Sequence, residues 1–243
     1  MNVVVDAGNT RMKYAFFDDD RFVEARYCAD GIEQEIAKRK NAGTRIHLLL
    51  SGSGRIPEEM RLRLRAVADA FWEASSAMDL PLKIGYATPG TLGFDRIAVC
   101  TGAMKLFPGH PLLVIDSGTC ITFNYVDASG VFLGGNISPG LELRFKSLHQ
   151  HTARLPQVAP EMEYGGVGAT TEEAIRNGVM EGMLFEVESY IRRFRERERG
   201  AEIVITGGNA RFLENHLSAD ARFCDILGFI GLNEILQYAK KCD

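Results

Sequence analysis

With 243 residues, of which 46% are hydrophobic and 25% charged, the chain can bury a large core as one big domain or two small ones. A net charge of −4 offers no electrostatic basis for holding nucleic acid or an anionic membrane, and no apolar run approaches the ~18 residues of a bilayer span. Cys28, Cys100, Cys120, Cys224 and Cys242 are odd in number and lack CxxC spacing, which points to reduced thiols in the cytosol rather than a disulfide framework or zinc site.

The N-terminus enters a strand without a basic n-region or cleavage site, so no signal peptide is expected. Val3-Val4-Val5 runs into Asp6-Ala7-Gly8-Asn9-Thr10-Arg11-Met12-Lys13, and Tyr14-Ala15-Phe16-Phe17 follows. The pattern predicts a buried strand, a tight turn and a second strand. Gly8 permits positive φ and close approach of a ligand. Successive backbone N–H groups in such a turn can cradle an anion, and phosphate is the commonest one. Asp6 is then placed to hold Mg²⁺ directly or through water. Asp-x-Gly also opens ordinary hairpins, so this stretch alone does not decide.

Further along, Gly31 to Asn41 reads as a short helix and Ile46 to Leu50 as a strand, with His47 a structural residue. Ser51 to Gly54 reads as a flexible connection into a helix from Pro57 to Trp72. Its interleaved arginines form a solvated face, since no aromatic pattern accompanies them. The loop Tyr86 to Gly93 leads through Phe94, Asp95 and Arg96 into an apolar helix ending at Phe107. Asp95 has two readings: a cap for free N–H groups, or a general base beside an arginine that grips an anionic substrate.

The opening pattern then recurs. Leu112 to Ile115 ends in Asp116-Ser117-Gly118-Thr119, a second strand runs Ile121 to Val126, and a turn follows at 127–130. Asp116 lies 110 residues after Asp6. Two βββ units, each opening on an acid at a phosphate-type turn, predict a duplicated fold with a ligand in the cleft between its halves.

Past this repeat, Gly134 to Gly140 is expected to link a strand to a helix, Leu141 to Leu148. His149 and His151 read as loop residues, and 155–168 as a loop that could carry a lid. Thr170 and Glu173 form a capping-box pattern for the longest helix, leaving the Thr171 hydroxyl available. Ile175, Val179, Met183, Val187, Ile191 and Phe194 make one buried stripe, and Gly200 suits the helix end. A strand at 202–205 leads through Thr206-Gly207-Gly208-Asn209 into a helix N-terminus, where backbone can approach a nucleotide. A short strand near Phe223 and a helix from Leu232 to Ala239 close the chain.

In their joint order and spacing, these motifs resemble the type III pantothenate kinases of the actin/hexokinase/Hsp70-like phosphotransferase superfamily. The likeness rests on Asp6-x-Gly-Asn-Thr-x-x-Lys13, Tyr86 seven residues before Gly93-x-Asp-Arg96, and Asp116-x-Gly-Thr119. It extends to Gly-Gly-x-Ile-x-Pro-Gly at 134–140, Thr152 to Pro156, Thr171 seven residues before Gly178, and Thr206-Gly-Gly208. The resemblance implies an α/β, duplicated ribonuclease H-like (actin-like ATPase) fold. Two βββαβαβα-type domains, 1–110 and 111–243, would flank a nucleotide cleft. It also implies ATP-dependent phosphorylation of pantothenate, the first step towards coenzyme A.

By the same resemblance Asp95 is the proton acceptor. Asp6 to Lys13 (Asp6, Ala7, Gly8, Asn9, Thr10, Arg11, Met12, Lys13), with Thr119, Thr206, Gly207 and Gly208, would bind ATP with Mg²⁺ on Asp6. Tyr86, Gly93, Phe94, Asp95, Arg96 and Thr171 would bind pantothenate. Asp116 would hold a monovalent cation, K⁺ or NH₄⁺. The family is dimeric, with the substrate site near the dimer contact, and a cytoplasmic homodimer is expected. Phe94 departs from the family, which commonly has a small residue there. Relatives first described as accessory factors for virulence-gene transcription leave two alternatives: a non-catalytic nucleotide-binding regulator, or a kinase of another small hydroxylated substrate.

Overall fold

The computed structural model describes residues 1–8, 12–28, 31–41, 43–52, 56–75, 77–161 and 164–242. In chain order the first elements are β1 (Asn2–Ala7), β2 (Met12–Asp18), β3 (Arg21–Arg26), α1 (Ile32–Asn41), β4 (His47–Gly52), α2 (Glu58–Val67), β5 (Ala70–Glu73), β6 (Lys83–Ile84) and α3 (Phe94–Leu106). There follow β7 (Leu112–Ser117), β8 (Cys120–Val126), β9 (Val131–Pro139), α4 (Leu141–Gln150), α5 (Thr171–Arg197), β10 (Glu202–Thr206), α6 (Ala210–His216), β11 (Arg222–Phe223) and α7 (Leu227–Cys242).

They form two compact units: Met1–Pro108 with Gly130–Phe132 and Ile226–Asp243, and Gly109–Ser129 with Leu133–Asp225. One sheet has the order β3-β2-β1-β4-β5; the other has the matching order β9-β8-β7-β10-β11, with β6 added beyond β9. In the first, β1 is antiparallel to β2 and parallel to β4. In the second, β7 is antiparallel to β8 and parallel to β10. The two sheets are the same arrangement built twice, which is the duplication that the repeated Asp-x-Gly hairpin predicts.

The chain first crosses between the units at 108/109. Two pieces depart from an even division. Val131 and Phe132 return to the first unit, where they pair in parallel with Lys83 and Ile84 of β6. Helix α7 also belongs to the first unit, packing on α3, β1 and β4. The two helices cross very closely, because a Cβ on Gly231 would strike the Ala98 carbonyl and one on Gly102 would strike that of Leu227. Asn2 Nδ2 donates to Asn233 Oδ1 at 2.8 Å, and Asn233 Nδ2 donates to the Asp19 carbonyl at 2.9 Å, so α7 is pinned to the sheet by satisfied buried amides.

Alternate residues of the central strands fill a core on each face. In the first unit Val3, Val5, Tyr14, Phe16, Leu48 and Leu50 meet Ile32 and Ile36 of α1 and Leu64 of α2. In the second, Leu113, Ile115, Phe123, Ile203 and Ile205 meet the predicted α5 stripe from Ile175 to Phe194.

Several expected boundaries move. The helix expected over 57–72 ends at Val67, and Ala70–Glu73 is the edge strand β5; Ala70, Phe71 and Trp72, three consecutive apolar residues, extend the helix-like apolar pattern without a break. Gly134 to Pro139 is strand rather than linker, because β9 absorbs its glycines. Helix α5 ends at Arg197 with Glu198 as its cap, and Gly200 lies beyond it at φ 73°. Helix α7 begins five residues earlier than expected, at Leu227. His47 is not fully satisfied, since its Nδ1 is buried without a hydrogen-bond partner.

Candidate active site

In the first unit the hairpin register sets Asp6 directly opposite Lys13, and their charged groups meet at 3.1 Å. Side chains of Asp6 and Lys13 keep 16% and 38% of their exposure. Such a pair is worth up to about 1 kcal/mol. Burial raises the Asp6 carboxyl above its ordinary pKa, the charge and hydrogen bond of Lys13 pull it back, and the charge of Asp95 pushes it up further. Asp6, Lys13 and Asp95 therefore share one electrostatic neighbourhood. Lys13 Nζ also lies 5.6 Å from the Phe229 ring centre. Ala7 closes β1, Gly8 follows it, and Met12 packs on the core. The expected ATP contacts Asn9, Thr10 and Arg11 lie outside the described residues.

Asp95 stands in the first turn of α3, whose cap position is Gly93 with no side-chain cap hydrogen bond. The Asp95 Oδ1 instead accepts from its neighbour's backbone, Arg96 N–H, at 2.9 Å. That carboxylate occupies the space a side chain on Gly93 would need: a Cβ there would sit 2.4 Å from Oδ1. The glycine of the Gly-x-Asp-Arg motif is thus a steric requirement of the acid two residues on. Phe94 is buried, its ring sunk in the protein.

Arg96 is only 6% exposed. Its guanidinium carbon lies 5.9 Å from the ring centre of Tyr86 and 5.4 Å from that of Phe132. The two rings meet edge to face, 5.9 Å apart. Phe132 was not singled out in the sequence, where it is one apolar residue in a strand and carries no motif signal.

In the second unit Asp116 ends β7, opposite Thr122 of β8 and Thr206 of β10. Gly207, at φ 100°, presses its backbone against this acid, and a Cβ would fall 2.4 Å from Asp116 Oδ1 and 2.6 Å from the Ser117 carbonyl. The turn is sewn to the Asp-x-Gly loop by Asn209, whose N–H donates to Ser117 O at 2.8 Å and whose Nδ2 donates to Gly118 O at 3.3 Å. Asp116 and Thr206 pair across β7 and β10, with Gly207 against the acid and Asn209 tied to Ser117 and Gly118. Thr119 and Gly208 are exposed and Thr206 is buried. The only sequence signal for Asn209 was its place after the glycine pair.

Thr170 caps α5 through the expected capping box, and Thr171 follows it, exposed. The segment expected to carry a lid is fastened at its far end: Asn177 bonds Gly165 N–H, Gly165 O and Gly166 O at 3.0 to 3.2 Å. His149 Nδ1 lies 2.9 Å from the Leu155 carbonyl, a local loop contact.

Among the described residues no three His, Cys, Asp or Glu side chains converge to hold a metal. Mg²⁺ carried by a nucleotide needs only one or two carboxylates besides the phosphates, and the partly accessible Asp6 fits that demand. Among the described residues no helix is long and apolar enough to cross a membrane.

Two copies of one mixed sheet, each opening on an Asp-x-Gly hairpin, define a duplicated ribonuclease H-like fold of the actin and hexokinase type. An activator of 2-hydroxyisocaproyl-CoA dehydratase from Clostridium difficile, solved with bound ADPNP, shares this fold at a TM-score of 0.57 and 14% identity, over 99% of this chain and 96% of that one. The chain belongs to the type III pantothenate kinase family, whose model matches residues 2–193. Type III pantothenate kinase of Flavobacterium psychrophilum is 34% identical over 247 residues, covering 99% of this chain and 100% of that protein. The enzyme of the same name from Porphyromonas gingivalis is 36% identical over 240 residues, with 98% of each chain covered.

Proposed function

We propose that the chain transfers the γ-phosphoryl group of ATP to the primary hydroxyl of pantothenate, giving 4′-phosphopantothenate, the first step of coenzyme A biosynthesis. The observation that carries this reading is the placement of Asp95. It sits in the first turn of α3, its Oδ1 accepting from the Arg96 N–H and lying against Gly93. It is close enough to the Asp6–Lys13 pair to influence the Asp6 carboxyl.

Phosphoryl transfer depends mainly on positioning and on countering charge at the transferred oxygens. Asp95 takes the hydroxyl proton as the new O–P bond forms. Arg96, always charged, grips the pantothenate carboxylate, and Tyr86 and Thr171 complete the substrate contacts. Lys13 and the N–H groups of the two Asp-x-Gly turns receive the phosphates, and Thr206 to Gly208 back the adenosine. Mg²⁺ on Asp6 and a monovalent cation on Asp116 supply positive charge when bound.

The same reading makes the chain a cytosolic homodimer. Leu133 and Ile137 on β9 and Phe185 on α5 stand more than half exposed, and contact with a second copy would remove this apolar surface from water.

Turnover of a panel of hydroxylated acids and sugars, with ATP and with or without K⁺, tests the assignment. Pantothenate should be the preferred acceptor and K⁺ should be required. Asp95→Asn should lower kcat by about 10²–10⁴-fold without loss of the folded-state circular dichroism. Undiminished turnover in that variant would remove Asp95 from the role of base.

A further inference from the structure

We infer that Phe132 is a positioning residue for substrate recognition, acting through Arg96. The chain leaves the second unit for only three residues, Gly130–Phe132, and returns to it at Leu133. That short visit is firmly held: Lys83 N–H donates to Gly130 O at 3.0 Å, and Gly85 N–H to Phe132 O at 2.9 Å. Gly85 has no Cβ to separate the strands; one there would lie 3.0 Å from both Phe132 O and Val131 Cγ1. What the visit delivers is a fully buried ring, 5.4 Å from the Arg96 guanidinium and edge to face with Tyr86.

A long arginine side chain has many rotamers, and holding one of them costs entropy that a binding site must otherwise meet at each encounter. A desolvated aromatic face within ~6 Å fixes a guanidinium and favours its charge. Phe132 also braces Tyr86 from below, so one ring sets two residues of the same site. Phe132 itself is buried, and its influence on the reaction passes through the arginine.

This inference rests on the reading of Arg96 as the residue that grips pantothenate, and the test separates the two. Phe132→Leu keeps most of the apolar bulk and removes the π face. The full-length enzyme is assayed as wild type, Phe132→Leu, Arg96→Gln and the double variant, with KM and kcat measured for pantothenate and ATP. Phe132→Leu should raise the pantothenate KM roughly five- to thirtyfold, with a smaller change in kcat and with the ATP KM held within about twofold. In the Arg96→Gln background the same substitution should add little, because its route of action is gone.

An unchanged pantothenate KM in Phe132→Leu, or an equal effect in both backgrounds, overturns the inference and leaves a purely structural ring. A normal pantothenate KM in Arg96→Gln alone overturns the reading of Arg96 and the inference with it. If Phe132→Leu melts below the assay temperature, Phe132→Met enters the same cycle, since its flexible thioether fills irregular space.

Discussion

The two Asp-x-Gly hairpins occupy equivalent places in two equivalent sheets, yet they treat their acids differently. In the first, Asp6 faces Lys13 across the hairpin and the charge is met within the motif itself. In the second, the residue opposite Asp116 is Thr122, and the backbone of Gly207 presses against the acid. What has been duplicated is an antiparallel strand pairing with an acid near the end of its first strand.

The largest expected effect comes from the glycine beside the second acid. Gly207 has φ 100° and its Cβ position is blocked by Asp116 Oδ1 and by Ser117 backbone, which cannot swing aside. Gly207→Ala should cost about 2–4 kcal/mol through left-handed strain and the clash together, read as a lower denaturation midpoint, and should raise the ATP KM. A variant with wild-type stability and ATP KM would show that this turn does not need its glycine.

The glycine beside Asp95 gives a contrasting case. Gly93 has φ −60°, an ordinary value for any residue, and its only close neighbour is the Asp95 carboxylate. Gly93→Ala should therefore leave the melting temperature nearly unchanged. It should displace the carboxylate and lower kcat by about 10–100-fold, the scale of a misplaced reacting group. Loss of stability without loss of kcat would reverse the roles assigned to these two glycines.

The fold was legible because the sheets are coded locally. Apolar runs such as Val3 to Val5 and Leu112 to Ile115, broken by Asp-x-Gly, announce strand and turn without help from distant residues. The α5 stripe and the Thr170 capping box were equally plain, each being a short-range pattern. The long-range pieces were hidden. Nothing local to Phe132 states that a three-residue stretch returns to the first unit, and nothing near Leu227 states that α7 joins that unit. Asp95 and Arg96 stood out by residue type, while the ring that holds Arg96 and the Asn209 amide that sews two turns together act through contacts fixed only by folding. The edge strand β5 was lost for a related reason: its four residues pair with β4, and the three half-buried apolar ones, Ala70 to Trp72, resemble the end of a helix.

The smallest effect is the most direct test of how the first acid is held. Burial is the leading cause of the raised Asp6 pKa, ahead of the opposing pull of Lys13. A carboxyl whose folded pKa exceeds its unfolded value stabilises the fold below the unfolded pKa, and that contribution is lost as pH rises through the folded pKa. At neutral pH the protein therefore carries the cost of an ionised, largely buried acid. Asp6→Asn should remove that cost and raise the melting temperature at pH 7 by on the order of 1–2 °C, while activity falls. The gain should shrink as pH drops through the acidic range, where protonation relieves the wild type in the same way. Lys13 loses its partner in the variant but keeps enough exposure to remain hydrated, so its loss stays small. A variant less stable than wild type at pH 7 would mean that the ion pair outweighs burial, and that the first hairpin is held together by its charges rather than in spite of them.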